Sequence, residues 1–171
     1  MIGDRWGVND AEVVRTYPCD AYVRTPALQA WRGVSVAARP AEVWPWVTQI
    51  RLAPYSYDWI DNRGRRSPQE LRNLPEPIAG EPFTTAAGRR LGQIVSTTTD
   101  EQLTARIMGT YMSYVLVPGG SSSTRLLLKV VAGGGRLQAS LLCVGDLVMA
   151  RRQLLNLKRL VEQGRGRSAI E

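Results

Sequence analysis

Histidine is absent from this chain of 171 residues. Its absence excludes Ser-His-Asp and Cys-His catalysis, histidine general bases and every zinc site that needs imidazole. Any acid–base chemistry falls to Asp, Glu, Tyr, Lys, Cys or water. The only two cysteines, Cys19 and Cys143, are far apart and fit no metal-binding spacing, so we expect two free thiols rather than one long-range disulfide. We expect no metal and no cofactor.

Long apolar runs are also missing. No stretch of about 18 apolar residues occurs, which argues against a membrane-spanning helix. The first residues lack the charged-then-apolar layout of a secretory signal, so a cytoplasmic location is expected. The hydrophobic fraction of 44% and the charged fraction of 22% are ordinary for a globular protein. A chain of this length suits one domain with a sizeable core.

Acidic residues are outnumbered, and the formal net charge is +7. Six basic residues lie between Arg151 and Arg167. A basic protein can bind nucleic acid or an anionic membrane. We favour a solvated helix face and a basic tail, because aromatic residues do not alternate with these bases as in single-strand binders. Nucleic acid is therefore disfavoured as a partner, a membrane surface at the basic C-terminal helix stays open, and the oligomeric state is not indicated.

The longest helical pattern lies near the end of the chain, from Cys143 to Gln163. Its apolar residues recur at intervals that place them on one helix face. They are Val144, Leu147, Ala150, Leu154, Leu157 and Val161. A helix of about twenty residues is roughly 30 Å long, which is enough to cover the open face of a sheet in a small domain.

Several strand patterns precede this helix. They alternate in polarity or are rich in β-branched residues. The segments are Trp31–Ala37, Leu91–Thr98, Leu103–Gly109, Thr110–Val117 and Thr124–Ala132. Consecutive strands with helices set apart from them favour an α+β fold over βαβ repetition. A curved antiparallel sheet around a long helix would leave a cavity between the two.

Short helical signals lie outside the sheet. Asn9 followed by Glu12 has the spacing of a capping box. Pro40 suits the first turn of a helix, which Pro45 should kink or divide. The segment Ser67–Glu70 has the pattern of a cap, a proline and an acidic first turn, which predicts another short helix.

Three regions are expected along the chain. Residues 1–30 form an N-terminal extension that Trp6 packs onto the domain, residues 31–163 form the domain, and residues 164–171 form a basic C-terminal tail. A free N-terminal tail would be more polar than one that carries a tryptophan.

The richest chemical cluster lies in residues 54–65, which combine tyrosine, tryptophan, aspartate and arginine. Asp58 and Asp61 are the best candidates for an acid or a base, since a carboxyl buried beside aromatic rings can work near neutral pH. Tyr55 and Tyr57 could donate a hydrogen bond to an enolate oxygen. Structural roles are the simpler alternative for all four: a turn cap, an ion pair or a packed ring.

Three stretches resemble the SRPBCC superfamily, also called START-like or birch-pollen-allergen-like, whose fold is the helix-grip fold. Pro40–Val47 is similar to the helix that follows the first strand in that superfamily. Tyr55–Asn62 and Met149–Lys158 resemble segments of an uncharacterised actinobacterial branch, as does the lead-in Trp6–Asp10. The layout matches from about Trp31 to Gln163.

The resemblance implies a hydrophobic or amphipathic small molecule, polyketide- or lipid-like, held between sheet and helix. The residues expected to line that space are Trp44, Trp59, Arg106, Met108, Met112, Tyr114 and Met149. Methionine adapts to irregular ligands, and tyrosine offers an apolar body with a polar tip. Core packing is the simpler alternative for any one of them, and strand alternation favours an outward Arg106 and Lys129.

Three functions remain open. The first is ligand binding with cofactor-independent cyclisation, as in polyketide cyclases, where Asp58, Tyr57, Tyr55 and Asp61 would be the catalytic candidates. The second is a non-catalytic carrier or sensor with the same pocket. The third is a basic surface that binds anionic lipid or nucleic acid.

Overall fold

A computed structural model describes residues 3–57, 63–64, 66–133 and 149–164. Within these residues, six strands form the main sheet and two form a separate hairpin. The strands are β1 (Arg5–Trp6), β2 (Leu28–Val36), β3 (Thr84–Ala86), β4 (Arg89–Leu91), β5 (Gln93–Thr98), β6 (Gln102–Ile107), β7 (Thr110–Pro118) and β8 (Thr124–Ala132). The helices are α1 (Asp10–Val14), α2 (Pro40–Thr48) and α3 (149–164), with 3-10 helices at Pro18–Tyr22 and Gln49–Arg51.

The main sheet has the strand order β1-β2-β8-β7-β6-β5. Its neighbours pair antiparallel, except that β1 runs parallel to β2. Helix α3 packs on one face of this sheet, so the predicted α+β fold is confirmed. Strand β8 begins and ends at the predicted residues. The sequence patterns do not predict β1 or the β3–β4 hairpin.

The continuous apolar run of β8 has a simple cause. Leu126, Leu128 and Val130 belong to the core under α2 and α3, whereas Leu127 and Val131 pack beneath the N-terminal extension. Alternate residues of a strand point to opposite faces, and here both faces are covered. A strand buried on both sides needs apolar residues at successive positions.

Helix α3 shares one core with α2 and the sheet. Its most deeply buried residues are Leu154, Leu157, Leu160 and Val161. The predicted apolar face is therefore confirmed over this part of the helix. The predicted start of the helix, residues 143–148, lies outside the described residues.

The capping box predicted at the start of α1 is confirmed. The Asn9 side chain accepts a hydrogen bond from the Glu12 backbone N–H, and the Glu12 carboxylate accepts one from the Asn9 backbone N–H, both at 2.9 Å. Helix α2 begins at Pro40 as predicted, but it runs through Pro45 without division. The residues on both sides of Pro45 are buried in the core, and this packing holds the helix together.

The helix predicted at Ser67–Glu70 is wrong, because residues 66–78 form no helix. The side chain of the buried Gln49 binds this segment instead. Its amide group donates to the Glu70 carbonyl at 3.0 Å and accepts from the Arg72 N–H at 2.6 Å. These bonds occupy backbone groups that a helix would have paired internally.

The N-terminal extension contacts both sides of the sheet edge. Trp6 packs against the core that contains α3, and the Arg151 guanidinium lies 5.0 Å from the centre of its ring. Tyr17 and Cys19 are buried against the opposite face. The segment is thus part of the folded core rather than a loose arm.

Candidate functional site

The space between α3 and the sheet is closed along most of the described helix. Leu154, Leu157 and Leu160 are at most 3% exposed and fill it with the chain's own side chains. A cavity of about 130 Å³ remains near the first described turn of α3. The expected cavity is therefore present but restricted to one end of the helix.

The wall of this cavity is mostly apolar and comes from several elements. Its apolar side chains include Ile50, Phe83, Ile107, Met112, Leu128 and Met149. Strands β6, β7 and β8 supply one side, and α3 supplies the other. The cavity is partly open to solvent, so an apolar molecule can reach this wall from outside.

One buried polar pair lies at the cavity wall. The Tyr114 hydroxyl, on a side chain that is 2% exposed, donates to the Gln153 side-chain oxygen at 2.6 Å. The Gln153 amide nitrogen donates in turn to the Pro54 carbonyl at 2.6 Å. Both side chains line the cavity, so they are the groups that a polar atom of a ligand would meet there.

The segment 54–57 separates this cavity from a second, open space on the flank of α3. Pro54 and Ser56 line the cavity, and Tyr55, Ser56 and Tyr57 line the second space. Asn156 holds the segment to the helix, since its amide donates to the Tyr55 carbonyl at 2.9 Å. Tyr55 itself adopts a left-handed backbone with φ of 56°. A non-glycine residue accepts this conformation only where its surroundings fix it.

The second space is a cleft of about 600 Å³ between α3 and, among the described residues, the segments 55–57 and 66–69 with Gly64. Arg152 and Arg159 project from the helix, and Arg66 lies in the facing segment. The Arg152 guanidinium lies 5.8 Å from the centre of the Tyr57 ring. Arg159 donates to the Gln69 side-chain oxygen at 3.2 Å. We call this space the arginine cleft.

The predicted site residues divide between these two spaces. Met112, Tyr114 and Met149 line the cavity, and Tyr55 and Tyr57 line the arginine cleft. The Tyr55 hydroxyl accepts a hydrogen bond from the Gln49 amide at 2.6 Å, within the network that holds residues 70–72. The predicted residues Asp58, Trp59 and Asp61 lie outside the described residues.

Trp44 lines neither the cavity nor the cleft. It is 2% exposed within the core, and its indole N–H donates to the Glu76 carboxylate at 3.0 and 3.3 Å. Its position favours the core-packing alternative over a ligand contact.

Arg106 and Met108 do not line the space between sheet and helix, which corrects their place among the expected ligand-lining residues; for Arg106 the outward alternative that strand alternation favoured is confirmed. Arg106 is exposed, because strand alternation turns it away from Ala105 and Ile107 of the core-facing side. Met108 is 87% exposed in the turn between β6 and β7, with φ of 48°. Both residues border a depression on the outer surface.

Lys129 faces away from α3, as strand alternation suggested, yet it is buried. Its ammonium group forms an ion pair with Asp20 at 2.6 Å. It also lies 5.4 Å from the centre of the Tyr17 ring and 5.0 Å from that of Trp31. Cation–π contacts and the carboxylate together replace the water that the ammonium loses.

Cys19 lies beside this cluster and is a free thiol. Burial raises the pKa of its thiol to about 11 and the pKa of the Tyr17 phenol to about 12. Both groups therefore stay protonated at neutral pH, and a protonated thiol is a poor nucleophile. Cys143 lies outside the described residues.

The sequence interpretation missed Gln153 and the convergence of Arg66 with α3. Gln153 had a signal: it follows Met149 by four residues and therefore lies on the apolar stripe of the helix, where an amide is unusual. Arg152 and Arg159 were recognisable only as part of a basic face. Their contact with the segment 66–69 depends on how Gln49 and Asn156 fix the intervening chain.

The described residues contain neither a metal-binding cluster nor a membrane-spanning helix. No group of three or more Cys, Asp or Glu side chains is placed there to hold a metal ion. None of the helices in that part of the chain combines the length and the apolar character needed to cross a membrane.

No family model matches the sequence, and no curated protein matches it. Solved structures do share the fold. MLL2253 from Mesorhizobium loti has a TM-score of 0.55 at 15% identity, covering 79% of this chain and 97% of that one. NE0264 from Nitrosomonas europaea has a TM-score of 0.53 at 14% identity, covering 81% of this chain and 96% of that one. A protein from Arthrobacter aurescens has a TM-score of 0.53 at 14% identity, covering 80% of this chain and 87% of that one. Likeness at this identity shows the fold alone, an α+β fold of a similar kind.

Proposed function

We propose that the protein binds a hydrophobic or amphipathic small molecule, polyketide- or lipid-like, in the cavity between the sheet and α3. The cavity itself carries the proposal, since it joins an apolar wall to the buried pair of Tyr114 and Gln153. Ligand sites typically combine apolar walls with a few convergent polar groups. The resemblance of Pro40–Val47 and Met149–Lys158 to the START-like superfamily, whose members hold such ligands in this place, supports it further.

The cavity volume limits what can enter without movement. An apolar cavity of about 150 Å³ binds benzene in another protein, so a single ring or a short chain suits the 130 Å³ found here. A larger ligand would have to displace Met112 and Met149, whose unbranched thioether side chains adapt more easily than other core residues. The proposal therefore favours slender apolar groups.

Filling the cavity tests the proposal. Ala150 is 6% exposed and lines the cavity, so Ala150→Leu would occupy the space with its own carbons. We expect fluorobenzene, followed by ¹⁹F NMR, to bind the unmodified protein at least about tenfold more tightly than this variant, given about 0.8 kcal/mol per buried methylene. Native mass spectrometry of the purified protein should also detect a small molecule retained from the host.

Ala11→Leu is the matched control, since Ala11 is exposed on α1 far from the cavity. It should bind fluorobenzene like the unmodified protein. Equal binding by Ala150→Leu and Ala11→Leu would show that the probe lies elsewhere. Purified protein that carries no small molecule and binds no fluorobenzene would contradict the proposal.

Cofactor-independent cyclisation is the catalytic form of this proposal, with Asp58 as an acid or base and Tyr57 as a hydrogen-bond donor to an enolate oxygen. Tyr57 lines the arginine cleft and not the cavity, which weighs against this form. Tyr57→Phe and Asp58→Asn should abolish turnover of a polyketide substrate in an enzyme, whereas a carrier would lose affinity at most. The Tyr55 hydroxyl accepts a hydrogen bond from Gln49, so a structural role is favoured for Tyr55 over a catalytic one.

Binding of an anionic surface by the basic helix is less favoured. Two of the basic side chains of α3 have internal contacts: Arg151 covers Trp6, and Lys158 pairs with Glu162 at 2.6 Å. Because these two side chains already contact other groups of the protein, their attraction to an anionic lipid surface is weaker.

A further inference from the structure

The arginine cleft is separate from the cavity and has a different chemistry. The segment 54–57 forms the wall between them, with Ser56 common to both. The cavity wall is mostly apolar, whereas the cleft brings together guanidinium, amide, hydroxyl and phenol groups. Its volume of about 600 Å³ falls in the usual range for small-molecule sites, about 300–1,000 Å³.

The charge of the cleft has one sign in the part of the chain that the structure describes. Arg66, Arg152 and Arg159 line it, and none of the described residues along its wall is an aspartate or glutamate. All three arginines are exposed to solvent. Like charges that converge on one concave surface raise the local positive potential and attract anions.

The three arginines line the cleft from two sides. Arg152 and Arg159 lie about two turns apart on one face of α3, roughly 10 Å along the helix axis. Arg66 faces them from the opposite wall. Guanidinium groups bind carboxylate and phosphate oxygens through paired N–H donors.

The floor of the cleft offers apolar contact beside these charges. Leu160 and Tyr55 are buried there, and the Tyr57 ring lies 5.8 Å from the Arg152 guanidinium. Ser67 lines the same wall as Arg66. A ligand with a small apolar or aromatic body and an anionic end matches this combination.

We propose that the arginine cleft binds a soluble small molecule that carries a carboxylate or phosphate group, held by Arg66, Arg152 and Arg159. This assignment concerns a site on the outer side of the segment 54–57. It does not depend on what occupies the cavity between sheet and helix.

Calorimetric titration of the full chain with sodium benzoate and, separately, with inorganic phosphate tests the assignment. We expect saturable binding of at least one probe, weakened by added sodium chloride. The double variant Arg152→Gln/Arg159→Gln should weaken it about tenfold or more, since each charge-assisted hydrogen bond is lost from an otherwise intact cleft. Arg66→Gln should weaken it from the opposite wall.

Arg90→Gln is the control for net charge, because Arg90 is exposed on β4 and does not line the cleft. It should change affinity less than about twofold at matched ionic strength. Circular dichroism should show that the arginine variants remain folded, and they should bind fluorobenzene like the unmodified protein. That last comparison separates failure of this assignment from failure of the cavity proposal.

Three results would overturn the assignment. One is that neither benzoate nor phosphate binds saturably. Another is that Arg90→Gln weakens binding as much as the double variant, which would show general charge attraction. The third is binding only to vesicles that contain phosphatidylglycerol, which would assign the arginines to a membrane surface instead.

Discussion

The two faces of the main sheet bury different chemistry, although they share the same strands. Leu128 and Lys129 are neighbours on β8 and point to opposite sides. On the α3 side the core is apolar and leaves a cavity unfilled. On the side of the N-terminal extension, Lys129 is buried against the Asp20 carboxylate and the rings of Tyr17 and Trp31.

This difference is the reason that both proposed binding sites lie on the α3 side. Beneath the extension, the ammonium group of Lys129 already has a partner in Asp20 and is only 5% exposed. Beside α3, the cavity has apolar walls without an occupant side chain, and the adjoining cleft has guanidinium groups open to solvent. Polar groups that satisfy each other stabilise a fold, while those left facing solvent are the ones that can bind a ligand.

Truncation of the α3 core should have the largest effect on stability. Leu154 is fully buried between helix and sheet, so Leu154→Ala should lower the free energy of unfolding by about 3 kcal/mol in urea denaturation. Leu155→Ala, on the next position and 37% exposed, should cost less than about 1 kcal/mol. Similar losses for both variants would contradict the packing described for α3.

Removal of one buried charge on the other face should cost somewhat less. Asp20→Asn leaves the ammonium of Lys129 without its carboxylate but retains an oxygen that can accept from the Tyr17 N–H. We expect a loss of roughly 2 kcal/mol, since Asp20 is partly exposed. Adding Lys129→Met should restore most of it, because a neutral side chain of similar length fills the same volume.

The double variant is what makes this second prediction specific. If Asp20→Asn alone unfolds at the same urea concentration as the unmodified protein, the ion pair contributes nothing. If Lys129→Met does not restore stability in the Asp20→Asn background, the loss arises from something other than the stranded charge.

Acid should loosen the extension by a smaller amount. The hydrogen bond from Arg125 lowers the pKa of the Glu12 carboxyl below its ordinary value of 4.5. A lowered folded-state pKa stabilises the fold above the unfolded-state pKa, and that stability is lost as the pH falls through the folded-state value. Glu12→Gln should remove about 1 kcal/mol at neutral pH and flatten the acid side of the pH–stability curve below about pH 4.5.

Glu70→Gln provides the comparison, because Glu70 is exposed and belongs to the segment 66–78, outside the N-terminal extension. From pH 7 to pH 3, the stability of Glu70→Gln should follow that of the unmodified protein. The stability of Glu12→Gln should depend less on pH. Parallel acid dependence in both variants would show that Glu12 does not couple protonation to stability.

The sequence predicted those features that depend on near neighbours along the chain. The β-rich run of residues 124–132 predicted the bounds of β8, and the spacing of Asn9 and Glu12 predicted a capping box that the structure contains. Both signals depend on residues within one element. The apolar stripe of α3 was equally readable, because its period of three to four residues is that of a helix face.

Features that depend on contacts between residues far apart in the sequence could not be predicted in this way. Residues 67–70 have the composition of a helix start, but Gln49, about twenty residues earlier, binds their backbone in another conformation. Lys129 is buried only because the N-terminal extension supplies Asp20. The arginine cleft likewise requires Arg66 to meet α3 across more than eighty residues of chain.

The short strand β1 has a consequence for self-association. It pairs with Trp31 and Arg32, in the middle of the nine-residue strand β2, and the Asp4 carbonyl accepts from the Trp31 N–H at 2.7 Å. An exposed edge of that length is a template on which a second copy of the chain can add its own strand. With β1 paired at its centre, β2 cannot offer an uninterrupted edge of nine residues to the strand of a second copy.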